Sequence, residues 1–168
     1  VVISDIALDP YSSYGHDGIV ENGKIINDAT VDVLKRMAIS HAKFGADIVA
    51  PSDMMDGRIF GIRKALEEES FYDTGIMSYS CKYTSSLYGP FRNALDSSPG
   101  FGDKKTYQID FHNSKQAIIQ AQLDVEEGAD IIMIKPGLAC LDIVNELSSK
   151  INNPIASYQV SESTLCLK

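Results

Sequence analysis

The sequence predicts an α/β fold of parallel strands forming part of a (β/α)8 TIM barrel, and three observations carry that expectation. Short β-branched runs alternate with amphipathic stretches, most of those runs are apolar along their length, and a Gly-Ala-Asp turn leading into aliphatic residues occurs twice, at Gly45 to Val49 and Gly128 to Ile132. Continuous apolar runs suit parallel strands covered on both faces, whereas half-exposed antiparallel strands alternate polar and apolar residues. Strand, helix and strand in series imply a parallel sheet. No Gly-rich phosphate fingerprint follows the first strand, which turns the expectation from a dinucleotide-binding fold towards a barrel.

The strands are expected at Val1 to Leu8, Ala46 to Ala50, Thr74 to Ser80, Ala129 to Ile134 and Pro154 to Val160. Between them, Thr30 is a plausible N-cap for a helix that carries Val31, Leu34, Ala38 and Ala42 on one face and stops at Gly45. A similar unit follows Asn113, with Ala117, Ile118, Ala121 and Val125 as its stripe and Gly128 as its end. A closed barrel needs eight strands and roughly 250 residues. The 168 residues here contain five strand-like runs, so an open arc with two free edges is expected, marginal or aggregation-prone as an isolated chain.

Composition narrows the function. A net charge of −8 repels nucleic acid and argues against a basic membrane-surface helix. No apolar run reaches the ~18 residues of a membrane span, which leads to the expectation of a soluble protein. Cys81, Cys140 and Cys166 are odd in number, widely spaced and without a C-x-x-C pair, so free thiols in a reducing compartment are expected.

In a parallel barrel the chemistry sits at the carboxyl ends of the strands. The loop after the first strand contains Asp5, Asp9, His16 and Asp17, and the loop after the second contains Ser52, Asp53, Asp56 and Arg58. Carboxylates at that density either ligate a hard cation such as Mg2+ or cap helices and close turns. Lys82 follows the third strand and Lys135 ends the fourth, within Ile131-Ile132-Met133-Ile134-Lys135-Pro136. An amine at the end of an aliphatic strand is desolvated, which lowers its pKa, and a second lysine across the mouth would lower it further, the condition for Schiff-base formation with a ketone. The alternative is that both are solvated or paired with the aspartates. Arg92 and Lys104, with Gln108, could grip a carboxylate or lie on a solvated surface.

Five ordered motifs carry a family resemblance: Asp5-Ile6-Ala7-Leu8-Asp9-Pro10-Tyr11, Pro51-Ser52-Asp53-Met54-Met55-Asp56-Gly57-Arg58, Tyr88-Gly89-Pro90-Phe91-Arg92, Phe101-Gly102-Asp103-Lys104-Lys105, and Gly128-Ala129-Asp130 through Lys135-Pro136-Gly137. From Val1 to about Ser161 the chain resembles 5-aminolevulinate dehydratase, also called porphobilinogen synthase. The resemblance implies a barrel of which strands three to seven are present, an octameric assembly, and condensation of two 5-aminolevulinate molecules into porphobilinogen for tetrapyrrole (heme and chlorophyll) synthesis. It implies that Lys135 forms the Schiff base with the propionate-side substrate and Lys82 with the acetate-side one. Arg92, Lys104 and Gln108 match residues that hold one substrate carboxylate, and Ser161 matches a serine that binds the other. Asp5 and Ser52 match polar residues near the substrate amine and the lysines. Zinc-type members have cysteines where this chain has Ala7, Asp9 and Asp17, so the resemblance points to the magnesium-type subgroup, with Asp9 and Asp17 as candidate ligands.

The chain departs from the family at Gln120, where magnesium-activated members carry a glutamate for an allosteric Mg2+, and at Ala139 and Cys140, where proline and tyrosine are usual. It departs again after Ser161. The expected organisation is therefore a partial barrel domain at 1–161 and a divergent tail at 162–168, with the missing strands suggesting a truncation or a partial sequence. The compartment implied is the plastid stroma or the cytoplasm. Two other readings compete: a class I aldolase-like barrel, which needs a single reactive lysine, and a non-catalytic truncated product.

Overall fold

The computed structural model describes residues 1–85 and 103–160. Five strands form one parallel sheet in the order β1 (Ile3–Ile6), β4 (Ile48–Pro51), β5 (Gly75–Lys82), β6 (Ile131–Lys135) and β7 (Ile155–Ser157). Four helices accompany them among the described residues: α1 (Asn27–Lys43), α2 (Arg58–Glu68), α3 (Ser114–Glu126) and α4 (Leu141–Ser148). Each strand of the sheet lies beside the next in sequence, and each crossover described in full holds a helix, as the parallel α/β reading requires. The arc is part of a (β/α)8 barrel.

Strand alternation divides the apolar residues into two layers. Ile6, Val49, Ile76, Ile132 and Ile134 face the helices and pack with Leu34, Ile59, Ile62, Leu66, Ile118 and Leu147. Ala50, Met77, Tyr79 and Met133 form a smaller cluster on the concave face, with Ile48, Ile131, Ala156 and Tyr158 against it. The helix-facing layer is the main core, and the concave layer fills the barrel's interior below the functional end.

The helix after β1 starts earlier than its sequence suggests. Ile26 is the capping position and Asn27 the first helical residue, because Asn27 is held on both sides of its amide: it accepts from the Asp56 N–H at 2.8 Å and donates to the Asp56 carbonyl at 3.0 Å. Thr30, expected as the cap, lies one turn inside, where its hydroxyl donates to the Ile26 carbonyl and accepts from the Ile19 N–H. Asn113 does cap α3, accepting from the Gln116 N–H. The buried stripe of α3 is Ala117, Ile118, Ala121 and Asp124, with Val125 only partly buried. A two-stranded ribbon, β2 (Val20–Glu21) with β3 (Lys24–Ile25), interrupts the first crossover. Its tip is Asn22-Gly23, both at positive φ, the conformation a two-residue hairpin demands.

Candidate active site

The carboxyl ends of β1, β4, β5 and β6, with the segments that follow them, bring seven of the sequence-predicted residues together: Asp5, Asp9, Asp17, Ser52, Lys82, Lys104 and Lys135. Lys82 and Lys135 are direct partners in the β5–β6 register, so their side chains leave adjacent strands on the same face, the concave one that Met133 also occupies. Lys82 reaches that face through an irregularity. The pairing of β5 slips between Ser78 and Cys81, which sends Cys81 to the helix side, its thiol on the Ala117 carbonyl of α3, and re-aims Lys82 into the mouth.

The two lysines have different surroundings. The Lys82 ammonium donates to the Ser52 carbonyl and, at 3.1 Å, to Asp17 Oδ2. Lys104 donates to the other oxygen of the same carboxylate at 2.6 Å and to Asp9 at 3.3 Å. Asp17 is thus a buried bridge between two ammonium groups. Burial opposes its charge, yet Lys82 and then Lys104 outweigh burial and hold its carboxyl below the ordinary value.

Lys135 instead lies over aromatic rings, its Nζ 4.1 Å from the centre of Tyr158 and 5.7 Å from that of Tyr79. Burial, and then repulsion from Lys82, lower its pKa from 10.5 to about 8, against the pull of Asp5, Asp17 and Asp9. At pH 7 that leaves roughly one amine in ten neutral, against about one in three thousand for an ordinary lysine. Burial pushes the Tyr79 phenol well above its usual range, with Asp5 adding to the effect.

Asp5, next to last in β1, lies at the open edge of the arc, where loss of solvent on its inner flank raises its carboxyl and a hydrogen bond with Ser52 pulls the other way. Behind the mouth lies a polar network that sequence inspection missed. Arg58 is fully buried, its Nε 3.6 Å from Asp53 and its Nη2 3.5 Å from Asp124. It also donates to the Ser78 hydroxyl and the Met55 carbonyl. Burial pushes Asp53 up to about 6, with Arg58 as the main opposing influence. Gln120, the departure noted on α3, donates to the free side of Asp124 at 2.8 Å.

Other predicted residues fall elsewhere. Gln108 is buried, but its side-chain oxygen has no hydrogen-bond partner, and it lines a separate cavity of about 290 Å3 with Thr84, Lys105, Asp110, Phe111 and His112. Arg92 and Ser161 lie outside the described residues, as do the Tyr88 to Arg92 motif, Phe101-Gly102, Cys166 and the 162–168 tail. Cys81 and Cys140 are free, buried thiols, and burial raises the pKa of both.

The metal expectation meets a mismatch. Among the described residues no group of three or more His, Cys, Asp or Glu side chains is placed to hold an ion. Both Asp17 oxygens already accept from lysines and Asp9 accepts from Lys104, so two ammonium charges stand where a divalent cation would bind. Asp9 and Asp17 do not fit Mg2+ in this arrangement.

Comparison with known proteins identifies the family. The model for delta-aminolevulinic acid dehydratase matches residues 1–166. The chain belongs to the delta-aminolevulinic acid dehydratase family. It is 59% identical over 162 residues to delta-aminolevulinic acid dehydratase 1, chloroplastic, of Arabidopsis thaliana, a match covering 96% of this chain and 38% of the relative. It is 52% identical over 168 residues to the delta-aminolevulinic acid dehydratase of Methanothermobacter thermautotrophicus, covering 100% of this chain and 52% of that one. The crystal structure of delta-aminolevulinic acid dehydratase (porphobilinogen synthase) from Toxoplasma gondii, in complex with the reaction product porphobilinogen, superposes with a TM-score of 0.96 at 53% identity over 99% of this chain and 49% of that one. The chain therefore spans about half, or less, of the length of the family members it matches. Family members generally bind metal ions. No helix among the described residues is long and apolar enough to cross a membrane.

Proposed function

We propose that the protein carrying this chain condenses two molecules of 5-aminolevulinate into porphobilinogen, with loss of two waters, through Schiff bases on Lys135 and Lys82. The observation that carries the proposal is the register pairing of those lysines on the concave face, one of them with its pKa lowered to about 8. Lys135 is the readier nucleophile, since its neutral form is populated near pH 7, and it attacks the ketone of the propionate-side substrate. Lys82, hydrogen-bonded to Asp17 and the Ser52 carbonyl, tethers the acetate-side substrate. Asp5 and Ser52 flank the lysines and receive the substrate amine. By the family resemblance, Arg92 and Lys104 hold one substrate carboxylate and Ser161 the other, while Gln108, which matches a further carboxylate contact, lines a different cavity here.

In this arrangement Asp9 and Asp17 serve as counter-charges. The first loop lacks the thiolates that select zinc, and the family resemblance points to Mg2+, but we assign the ion no place at these two residues and no step of the reaction. The product would serve tetrapyrrole synthesis in the plastid stroma or the cytoplasm, and a homo-octamer is the assembly the family implies.

Borohydride trapping tests the mechanism. Incubating the intact protein with 5-aminolevulinate and borohydride should add substrate mass to Lys135 and, less readily, to Lys82; no adduct on Lys135 removes the mechanism. A single-lysine aldolase-like reaction is the competing reading, and a Lys82→Met protein that kept full activity would favour it.

A further inference from the structure

We infer that Tyr107 is a positioning residue whose hydroxyl fixes the backbone of Asp17 and thereby the carboxylate that joins Lys82 to Lys104. The inference rests on the Schiff-base reading above and assigns a role to a residue outside its catalytic set.

The loop from Ser12 to Gly18 has no helix or strand of its own, yet it must deliver a buried carboxylate to two ammonium groups. Such a group is held only if the backbone beneath it is held. The structure supplies that hold from one turn of the 103–109 segment, in which the Tyr107 and Gln108 N–H groups return to the Lys104 carbonyl. From this turn Lys104 reaches the Asp17 carboxylate and Tyr107 reaches the peptide. The Asp17 N–H donates to the Tyr107 hydroxyl oxygen at 3.3 Å, and His16 Nδ1 lies 3.1 Å from the same oxygen. The His16 and Tyr107 rings meet edge to face, 6.1 Å between centres. His16 is itself buried, whereas Tyr107 is half-buried and lines, with His16, a cavity of about 620 Å3. The turn is in turn tied to the active strand, because the Ile109 N–H donates to the Lys82 carbonyl. One hydroxyl thus sets the distance between the first loop and the end of β5.

Only one lysine should sense this clasp strongly. Lys82 is hydrogen-bonded to Asp17, while Lys135 lies over Tyr158 and Tyr79. Removing the hydroxyl should therefore misplace Lys82 and spare Lys135. A misplacement of about 1 Å at a reacting group costs on the order of a hundredfold.

The test is Tyr107→Phe in the intact protein, read in two ways. Amide hydrogen exchange should speed up at Asp17 and its immediate neighbours while the strands keep their protection. Borohydride trapping with 5-aminolevulinate should lose Lys82 adduct about tenfold or more relative to Lys135 adduct. Asp17→Asn should lower the same ratio at least as far, and the double variant should fall no further than Asp17→Asn alone, since both changes act through one carboxylate. An unchanged ratio, an additive double variant, or a Tyr107→Phe protein that no longer folds would each overturn the inference. Failure of the Schiff-base reading looks different: the unaltered protein would show no adduct at either lysine, while the Asp17 exchange rate would still respond to Tyr107→Phe.

Discussion

Replacing Lys82 by methionine removes the ammonium that faces Lys135 across the β5–β6 pairing. Burial is the larger cause of the drop in the Lys135 pKa from 10.5 to about 8, and Lys82 is the next. Losing that neighbour also leaves more of the Asp17 charge to attract Lys135, so both consequences raise its pKa. For like charges on neighbouring strands at an effective dielectric near 20, a rise of roughly one unit is the expected size. The neutral fraction at pH 7 then falls from about a tenth to about a hundredth. Labelling of Lys135 by a small amine-reactive reagent, followed by mass spectrometry across pH 6 to 11, reads this directly and needs no substrate. The midpoint should move from about 8 to about 9, with labelling at pH 7 about tenfold slower and full reactivity recovered at high pH. A midpoint that stays put or falls would refute the electrostatic account of how Lys135 is activated. Loss of labelling at every pH would mean that methionine had disturbed the packing instead.

Three further outcomes follow from the same interactions. Lys135→Met should stabilise the fold: a lysine whose folded pKa lies below its unfolded one carries a penalty that is in force below about pH 8 and fades as pH rises towards 10.5, so the gain in urea denaturation should reach up to about 3 kcal/mol at pH 7 and shrink by pH 10. Arg58→Met strands Asp53 and Asp124 without their guanidinium and should cost about 3–5 kcal/mol; since Asp53 already has a folded pKa of about 6 against 3.8, the loss should be smaller at pH 5, where its carboxyl takes a proton, than at pH 8. Gly137→Ala would put a methyl 1.9 Å from the Ser157 hydroxyl, so a loss of about 1–3 kcal/mol is expected, partly recovered by adding Ser157→Gly.

The parts of the fold that were legible in the sequence were those written in periodicity. Ile131 to Ile134 is apolar on both faces and forms a strand buried on both faces, and the two Gly-Ala-Asp turns stand where helices return to strands, with Gly45 and Gly128 at positive φ. The start of α1 was misjudged because Thr30 has the chemistry of a cap while Asn27 has the partner, Asp56, which is distant in sequence. The ribbon at Val20 to Ile25 carried a readable signal, Asn22-Gly23, but its strands are too short to register as apolar runs. Arg58 gave no hint of burial, since its two acidic neighbours come from 5 residues before it and from α3. The tyrosines around Lys135 and the Tyr107 clasp were hidden for the same reason: their contacts join segments 79 and 158, or 17 and 107, that only the folded chain brings together.

The chemistry of the mouth depends on a feature no pattern in the chain announces. In a strand, residues two apart share a face, so Met77 and Tyr79 on the concave side would put Cys81 there next and turn Lys82 towards the helices. The slip between Ser78 and Cys81 reverses that parity. It gives the helix layer a small thiol that fits against Ala117, and it gives the concave face a second amine level with Lys135. On β6, where no slip is recorded, Ile131, Met133 and Lys135 keep strict alternation. An ordered β5 without the slip would still pack as a sheet, but its lysine would point away from Asp17 and Ser52, and the neighbour whose repulsion helps bring the Lys135 pKa to about 8 would be gone. The irregularity in one strand therefore adds to the lowering of the Lys135 pKa on the other, on top of the larger effect of burial.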